Sequence, residues 1–314
     1  MSHENKNQVK NAETNATKKA RASRKSKMPL TTRETLSSLI GSARKILRKD
    51  KGLNGDADRL PLLTWVMFLK FLDDLEVAHE EEAALDGRRY QSIIDAPYRW
   101  RDWAAKEDGI TGDELLAFIG QEVAVLPDGS TGRGLFTYLR GLASDGHKGS
   151  QREVIANVFR GVQNRMVSGY LLRDILNKIN GIHFSSSEEV HTLSHLYESM
   201  LREMRDASGD SGEFYTPRPV VRFMVQVTNP KLGESVLDPA CGTGGFLVEA
   251  FEHMEAQVAS TEQRRTLQKD SLQGQEAKPL PYMLAQMNLL LHGLESPNIA
   301  YGNTLDRRIN EIGH

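Results

Sequence analysis

The nine residues Asp238-Pro239-Ala240-Cys241-Gly242-Thr243-Gly244-Gly245-Phe246 constrain the fold of this chain more than any other stretch. They follow the short apolar run Ser235-Val236-Leu237 and lead into a helical pattern. An acidic residue closing a strand, glycines, then a helix is the layout of a nucleotide-binding turn. The glycines let the backbone approach a ligand with no Cβ in the way, and the helix N-terminus offers unpaired N–H groups. The spacing is Gly-x-Gly-Gly behind Asp-Pro, which departs from the Gly-x-Gly-x-x-Gly of dinucleotide folds. An ordinary glycine-rich turn would explain the glycines alone, so the neighbouring segments decide.

Those neighbours alternate. The pattern predicts strands at 235–238, 271–275 and 298–302, with helices from Phe246 to about Ala259 and from Pro281 to His292. Strand and helix in turn imply a parallel sheet with its ligand at the strands' carboxyl ends. The charged, unpatterned stretch Thr261–Asp270 is expected to loop out between helix and strand. Glu276 then follows the second strand, where such a fold places an acid for ribose hydroxyls. It lies 38 residues after Asp238, against about 20 in a dinucleotide unit, which with the glycine spacing argues against a nicotinamide oxidoreductase. Gly302-Asn303-Thr304-Leu305 closes the third strand, and Asn303 can be a ligand contact or a plain turn residue. Glu213-Phe214-Tyr215-Thr216-Pro217-Arg218-Pro219 precedes the first strand, and its prolines favour an extended approach and a helix start at Pro219. Cys241 invites comparison with a thiolate nucleophile, but inside the glycine turn it faces the wrong ligand.

Upstream the chain is helical by period. Leu36, Leu39, Ile40, Ala43, Ile46 and Leu47 mark one helix, with Thr31 or Thr32 as N-cap. A Gly-Leu-Asn-Gly-Asp turn at 52–56 leads to a second helix over 60–75, which the acidic run Glu80-Glu81-Glu82 is expected to end. The aromatics of Tyr98–Trp103 with Arg89, Arg99 and Arg101 could stack on bases, although Trp and Arg more often cover a core edge. Residues 154–162 and 171–179 are helical as well. A new unit opens at Ser185, where Ser186 and Glu189 have capping-box spacing. Its helix carries Val190, Leu193, Tyr197, Met200, Leu201 and Met204 and runs into a hinge-like Asp206–Gly212 loop. The expected division is therefore a tail at 1–30, an all-helical domain at 31–184 and an α/β unit at 185–314.

Charge and composition bound the rest. The first thirty residues hold eight Lys or Arg and two Glu with almost no large apolar side chain, so they cannot order themselves by burial. The net charge of −2 leaves the remainder acidic, and any nucleic-acid affinity must come from a local basic surface or a partner. No apolar run nears 18 residues and the tail lacks a signal-peptide core, which argues against membrane insertion or export. One cysteine excludes an intrachain disulfide framework and fits a cytoplasmic location. No His/Cys clustering suggests a metal, and His183, His191 and His195 are taken as helix-flanking residues.

Asp-Pro-Ala-Cys-Gly-Thr-Gly-Gly-Phe, preceded by Gly212-Glu213-Phe214-Tyr215-Thr216-Pro217-Arg218-Pro219, resembles the amino-terminal half of modification subunits of type I restriction-modification systems. The resemblance covers about residues 31–314 and is strongest from 195 onward. It implies an adenine-N6 DNA methyltransferase using S-adenosylmethionine, on an α + α/β architecture: a helical domain and the first half of a Rossmann-like methyltransferase fold. It further implies cofactor contacts from Glu213, Phe214, Tyr215, Thr216, Pro217, Arg218, Asp238, Gly242, Thr243, Gly244, Gly245, Glu276 and Asn303. The family commonly has Asp at the Asn303 position. Implied partners are DNA, a specificity subunit and a restriction subunit. The family's Asn-Pro-Pro-aromatic motif, which follows the fourth strand and holds the flipped base, has no counterpart here, since Asn229-Pro230 is followed by Lys231. The sequence stops at His314, soon after the third strand, so the motif is expected to lie beyond His314 and no catalytic residue is assigned. The expectation is a truncated member, inactive alone, or else a non-catalytic protein that binds DNA or the specificity subunit.

Overall fold

The computed structural model describes residues 33–145, 150–182 and 216–306, which belong to one compact unit. The first helix, α1 (Arg33–Leu47), buries Ile40, Ala43 and Leu47 along one stripe. The second, α2 (Asp56–Leu85), runs 30 residues, about 45 Å at 1.5 Å per residue. It continues through the acidic run expected to end it, because Ala83 stays buried on its inner face while Glu80 accepts hydrogen bonds from Arg101 Nη1 and Ser92 Oγ. Next come α3 (Trp100–Trp103) and α4 (Gly112–Gly120).

The region is not all-helical. Strands β1 (Val123–Val125) and β2 (Thr131–Arg133) pair antiparallel. Their turn is Pro127-Asp128-Gly129-Ser130, with Gly129 at φ +85° and Asp128 Oδ1 accepting from both the Ser130 amide and its hydroxyl. A Pro-Asp-Gly turn after an apolar run is a hairpin signal with a local mechanism, and the helical periodicity on either side masked it. Then follow α5 (Leu135–Gly141), α6 (Gln151–Phe159) and α7 (Gly169–Asn180), the last two N-capped by Ser150 and Ser168. The core of this region holds Trp65, Phe68, Trp100, Trp103, Phe118 and Phe159. Trp100 and Trp103 thus line the core, while Arg101 pairs with Asp73 and Glu80, and Arg99 with Asp102. The cluster at 98–103 is a core edge, not a stacking surface.

The second region opens with α8 (Arg218–Thr228), which starts one residue before the expected Pro219. It leads to β3 (Val236–Asp238), α9 (Gly245–Glu255), α10 (Thr261–Lys269), β4 (Leu272–Glu276), α11 (Pro279–Leu291) and β5 (Asn298–Tyr301). The sheet is parallel in the order β3-β4-β5, with Asp238 opposite Gly274 and Glu276 opposite Tyr301. The expected loop at 261–270 is instead the helix α10: Ser260 Oγ caps it by accepting from the Gln263 amide, and Leu267 alone is buried, too little apolar surface to leave a pattern. Helix α11 is buried from Pro281 to Leu291 and divides its apolar side chains between two cores. Met283, Leu284, Met287, Leu290 and Leu291 join the helical core, while Tyr282, Ala285 and Leu289 join the core under the sheet. Among the described residues no helix is long and apolar enough to cross a membrane. The expected capping box at Ser186 and Glu189, the helix after it, the hinge at 206–212, the caps Thr31 and Thr32, and His183, His191 and His195 lie outside the described residues. So does the final stretch 307–314, His314 included, and the expected place of the catalytic motif past His314 therefore has no structural counterpart here.

Candidate functional site

The carboxyl ends of β3, β4 and β5 meet at the glycine turn, and backbone bonds lace them together. The Cys241 amide donates to Gln275 O at 2.9 Å and the Gly302 amide to Glu276 O at 2.9 Å. Thr304 Oγ1 donates to Pro239 O, tying the exit of β5 to the turn after β3. Gly242 and Gly244 sit at φ +54° and +77°, the left-handed region that glycine enters without cost, so here the glycines are required by backbone geometry. A Cβ on Gly244 would also lie 3.4 Å from Ala285 of α11, which leaves little room beneath the turn.

Glu276 ends β4 with its carboxylate toward this turn. Oε2 accepts from the Gly242 amide at 2.9 Å and Oε1 from the Lys278 amide at 2.7 Å. Two bonds fix the group while leaving lone pairs on both oxygens, since a carboxylate accepts about four. Asp238 holds the Ala240 amide at 3.2 Å. Burial raises its pKa above the usual carboxyl value, and the negative Glu276 nearby adds to that against the pull of the Ala240 amide. Two acids, each fixed by a backbone amide, therefore stand beside the glycine turn at the carboxyl ends of β3 and β4.

Cys241 is buried, and its thiol is pushed up to about 12 by burial first and by Asp238 and Glu276 after it. It remains a neutral thiol, which removes it as a nucleophile. Arg218 Nη1 donates to Gly245 O at 3.2 Å, joining α8 to the first turn of α9. Pro217 caps α8, and Thr216 beside it is exposed. Asn303 spends its side chain on its own turn, with Oδ1 accepting from the Leu305 amide and Nδ2 donating to Asp306, the bonds a plain turn residue makes. Glu213, Phe214 and Tyr215 lie outside the described residues.

One positioning residue went unread in the sequence. Asn288 of α11, 8% exposed, donates from Nδ2 to Thr243 O at 3.0 Å and so pins the turn from below. The available signal was a polar residue inside the otherwise apolar run Met287-Asn288-Leu289-Leu290-Leu291. Buried Gln286 in the same helix donates to Ile299 O and the Tyr282 hydroxyl and ties α11 to β5.

Known proteins share sequence and fold with the chain. Residues 188–312 match the family model "N-6 DNA Methylase", and residues 36–179 match "HsdM N-terminal domain". The chain is 45% identical over 278 residues to the EcoEI methylase subunit, a type I restriction enzyme component of Escherichia coli, covering 88% of this chain and 53% of that one. A crystal structure of a modification subunit of a putative type I restriction enzyme from Vibrio vulnificus matches at TM-score 0.84 and 66% identity, over 91% of this chain and 59% of that one. A chain from a structure on complex assembly and conformational transition of a type I restriction-modification system matches at TM-score 0.66 and 39% identity, over 91% and 54%. The class defined is that of N6 DNA methylases. Within it, the chain belongs to the methylase (modification) subunits of type I restriction-modification systems and spans a little over half the length of these relatives.

Proposed function

We propose that residues 185–314 form the cofactor-binding part of an adenine-N6 DNA methyltransferase, with 31–184 a helical domain that contacts DNA and the system's other subunits. The observation that carries this reading is the Glu276 carboxylate held by the Gly242 amide across β3 and β4, at the mouth of the glycine turn. In the reading, S-adenosylmethionine supplies an electrophilic methyl group. Glu276 takes the ribose hydroxyls, the turn at Gly242-Thr243-Gly244-Gly245 receives the methionine end with Asp238 beside it, and Asn303 is left for the adenine edge if it gives up its turn bonds. Thr216, Pro217 and Arg218 flank the turn through the first turn of α8, and Glu213, Phe214 and Tyr215 are assigned to the same cover by resemblance.

In this reading the chain binds and orients the cofactor, and no residue is assigned to the transfer step, since the 314 residues contain no Asn-Pro-Pro-aromatic run to hold a flipped base. Work with a specificity subunit, a restriction subunit and DNA in the cytoplasm belongs to the same reading. Calorimetric titration of the protein with S-adenosylmethionine tests it, alongside Glu276→Ala and Gly244→Asp. Micromolar binding, lost in both folded variants, is expected. A folded wild-type protein with no heat of binding, or variants that bind as well as wild type, would overturn it.

A further inference from the structure

Where α11 divides its side chains between the two cores, a cavity of about 350 Å³ opens between its first turn, the start of α2 and the end of α6. That volume suits a small organic ligand, whose sites run from about 300 to 1,000 Å³. The floor is apolar: Val158, Val162 and Met283 are buried, and Pro61, Pro279 and Leu280 close the sides. One wall is aromatic. Tyr282 is buried, its hydroxyl accepting from Gln286 Nε2, and Tyr301 at the end of β5 makes an edge contact with it, ring centroids 5.3 Å apart, while staying 48% exposed. The cavity shares no lining residue with the glycine turn, Glu276 or Asn303.

The rim is polar and rich in donors. Arg165 is paired with Asp58, so among the lining residues the charge of Arg160 is the one left over. Arg160 is exposed, and among the described residues the side chains of Asn157, Arg160 and Gln163 make no hydrogen bond or ion pair. The backbone that carries them is held from behind. Arg140 donates from Nε to Phe159 O at 3.0 Å and from Nη2 to Val162 O at 2.7 Å, which fixes the wall before any ligand arrives.

An apolar slot with tyrosine at its wall takes a flat ring, because every nucleobase has a face to lay on an aromatic side chain. A guanidinium takes phosphate through paired N–H groups, and the amides of Asn and Gln both donate and accept along a base edge. A purely apolar ligand would leave all three rim groups unanswered. We infer that this cavity binds a nucleoside monophosphate unit, its base in the slot beside Tyr301 with Asn157 and Gln163 at the base edge, and its phosphate on Arg160. The unit is a free nucleotide or the phosphorylated end of a strand, and the chemistry of recognition is the same for both. This site stands apart from the cofactor crevice and does not depend on how that crevice is read.

The test is calorimetric titration of the 314-residue protein with adenosine monophosphate and, separately, with adenosine. Saturable one-to-one binding of the monophosphate is expected, with adenosine about tenfold or more weaker for want of the charged contact. Arg160→Gln, at an exposed residue, should bring the monophosphate down to the affinity of adenosine and leave adenosine unchanged. Tyr301→Ala should weaken both by about fivefold or more, the worth of one stacked base. Glu276→Ala should alter neither. No binding at millimolar nucleotide, equal affinity for the two ligands, or indifference to Arg160→Gln overturns the inference. So does binding that Glu276→Ala abolishes and Arg160→Gln spares, since the nucleotide then sits beside the glycine turn. Competition with a 5′-phosphorylated single strand separates the two sources: a strand that displaces the bound monophosphate assigns the site to strand ends, and one that does not assigns it to a free nucleotide.

Discussion

Gly274 sits at the centre of β4 between the two strands that carry the site, and replacing it with Ala tests how tightly that centre is built. An added Cβ would meet Leu247 Cδ1 at 2.8 Å, Cys241 Sγ at 3.3 Å and Ile299 Cγ1 at 3.3 Å. The first distance is shorter than any normal contact, so Leu247, in the first turn of α9, must move. Overpacking of this kind costs about 1–3 kcal/mol. Against it stands a gain of about 0.4–1 kcal/mol from the stiffer unfolded chain. The net expectation is a loss of up to about 2.6 kcal/mol, centred at ~1.3, with a fall in Tm of roughly 2–4 °C per kcal/mol for a domain of 150–250 residues. Leu247→Ala alone should cost about 2–5 kcal/mol by opening a cavity. In the double variant the new methyl group occupies part of that cavity, so the two losses should fall short of additive by about 1 kcal/mol or more. Urea unfolding of the four proteins completes the cycle. Additive losses, or a Gly274→Ala variant as stable as wild type, would show that Leu247 does not hold this contact and that the helix start is not wedged against the sheet.

Asp238→Asn should stabilise the ligand-free protein near neutral pH, because the wild-type carboxyl is raised by burial and its charge opposes folding. The raised value means that the acid's favourable contribution is full below about 3.8 and is lost as pH rises through the folded-state pKa, so the advantage of Asn should grow over that rise in thermal melts. The same variant should bind S-adenosylmethionine more weakly. Arg173, 6% exposed, donates to the carbonyls of Trp103, Ala104, Lys106 and Ile110, and Arg173→Leu strands them; a loss of about 3 kcal/mol or more is expected by urea unfolding, and less than about 1 would refute the role. Cys241 should react with iodoacetamide at pH 8 far more slowly in the folded protein than in urea, and rapid native labelling would contradict a thiol pushed up to about 12.

The strand, the glycine turn and the helix after it were legible because their signals are local. An acid at the end of an apolar run, glycines where φ turns positive and an amphipathic helix need no distant partner to be recognised. The place of Glu276 at the end of the second strand was legible for the same reason, once 271–275 was taken as a strand. The hairpin at 123–133 carried its signal in Pro-Asp-Gly and was lost among helices, and α10 offered one buried side chain, too weak a period to detect. What only the tertiary structure decided was where two-sided apolar elements spend their faces. The sequence of α11 shows that it is buried, but not that Met283 and Met287 enter one core while Ala285 and Leu289 enter another, nor that Asn288 reaches Thr243. The sequence of α8 likewise shows apolar residues, but not which of its stripes meets α9 and which stays exposed. Periodicity is a property of one segment, whereas the choice of neighbour depends on how distant segments pack.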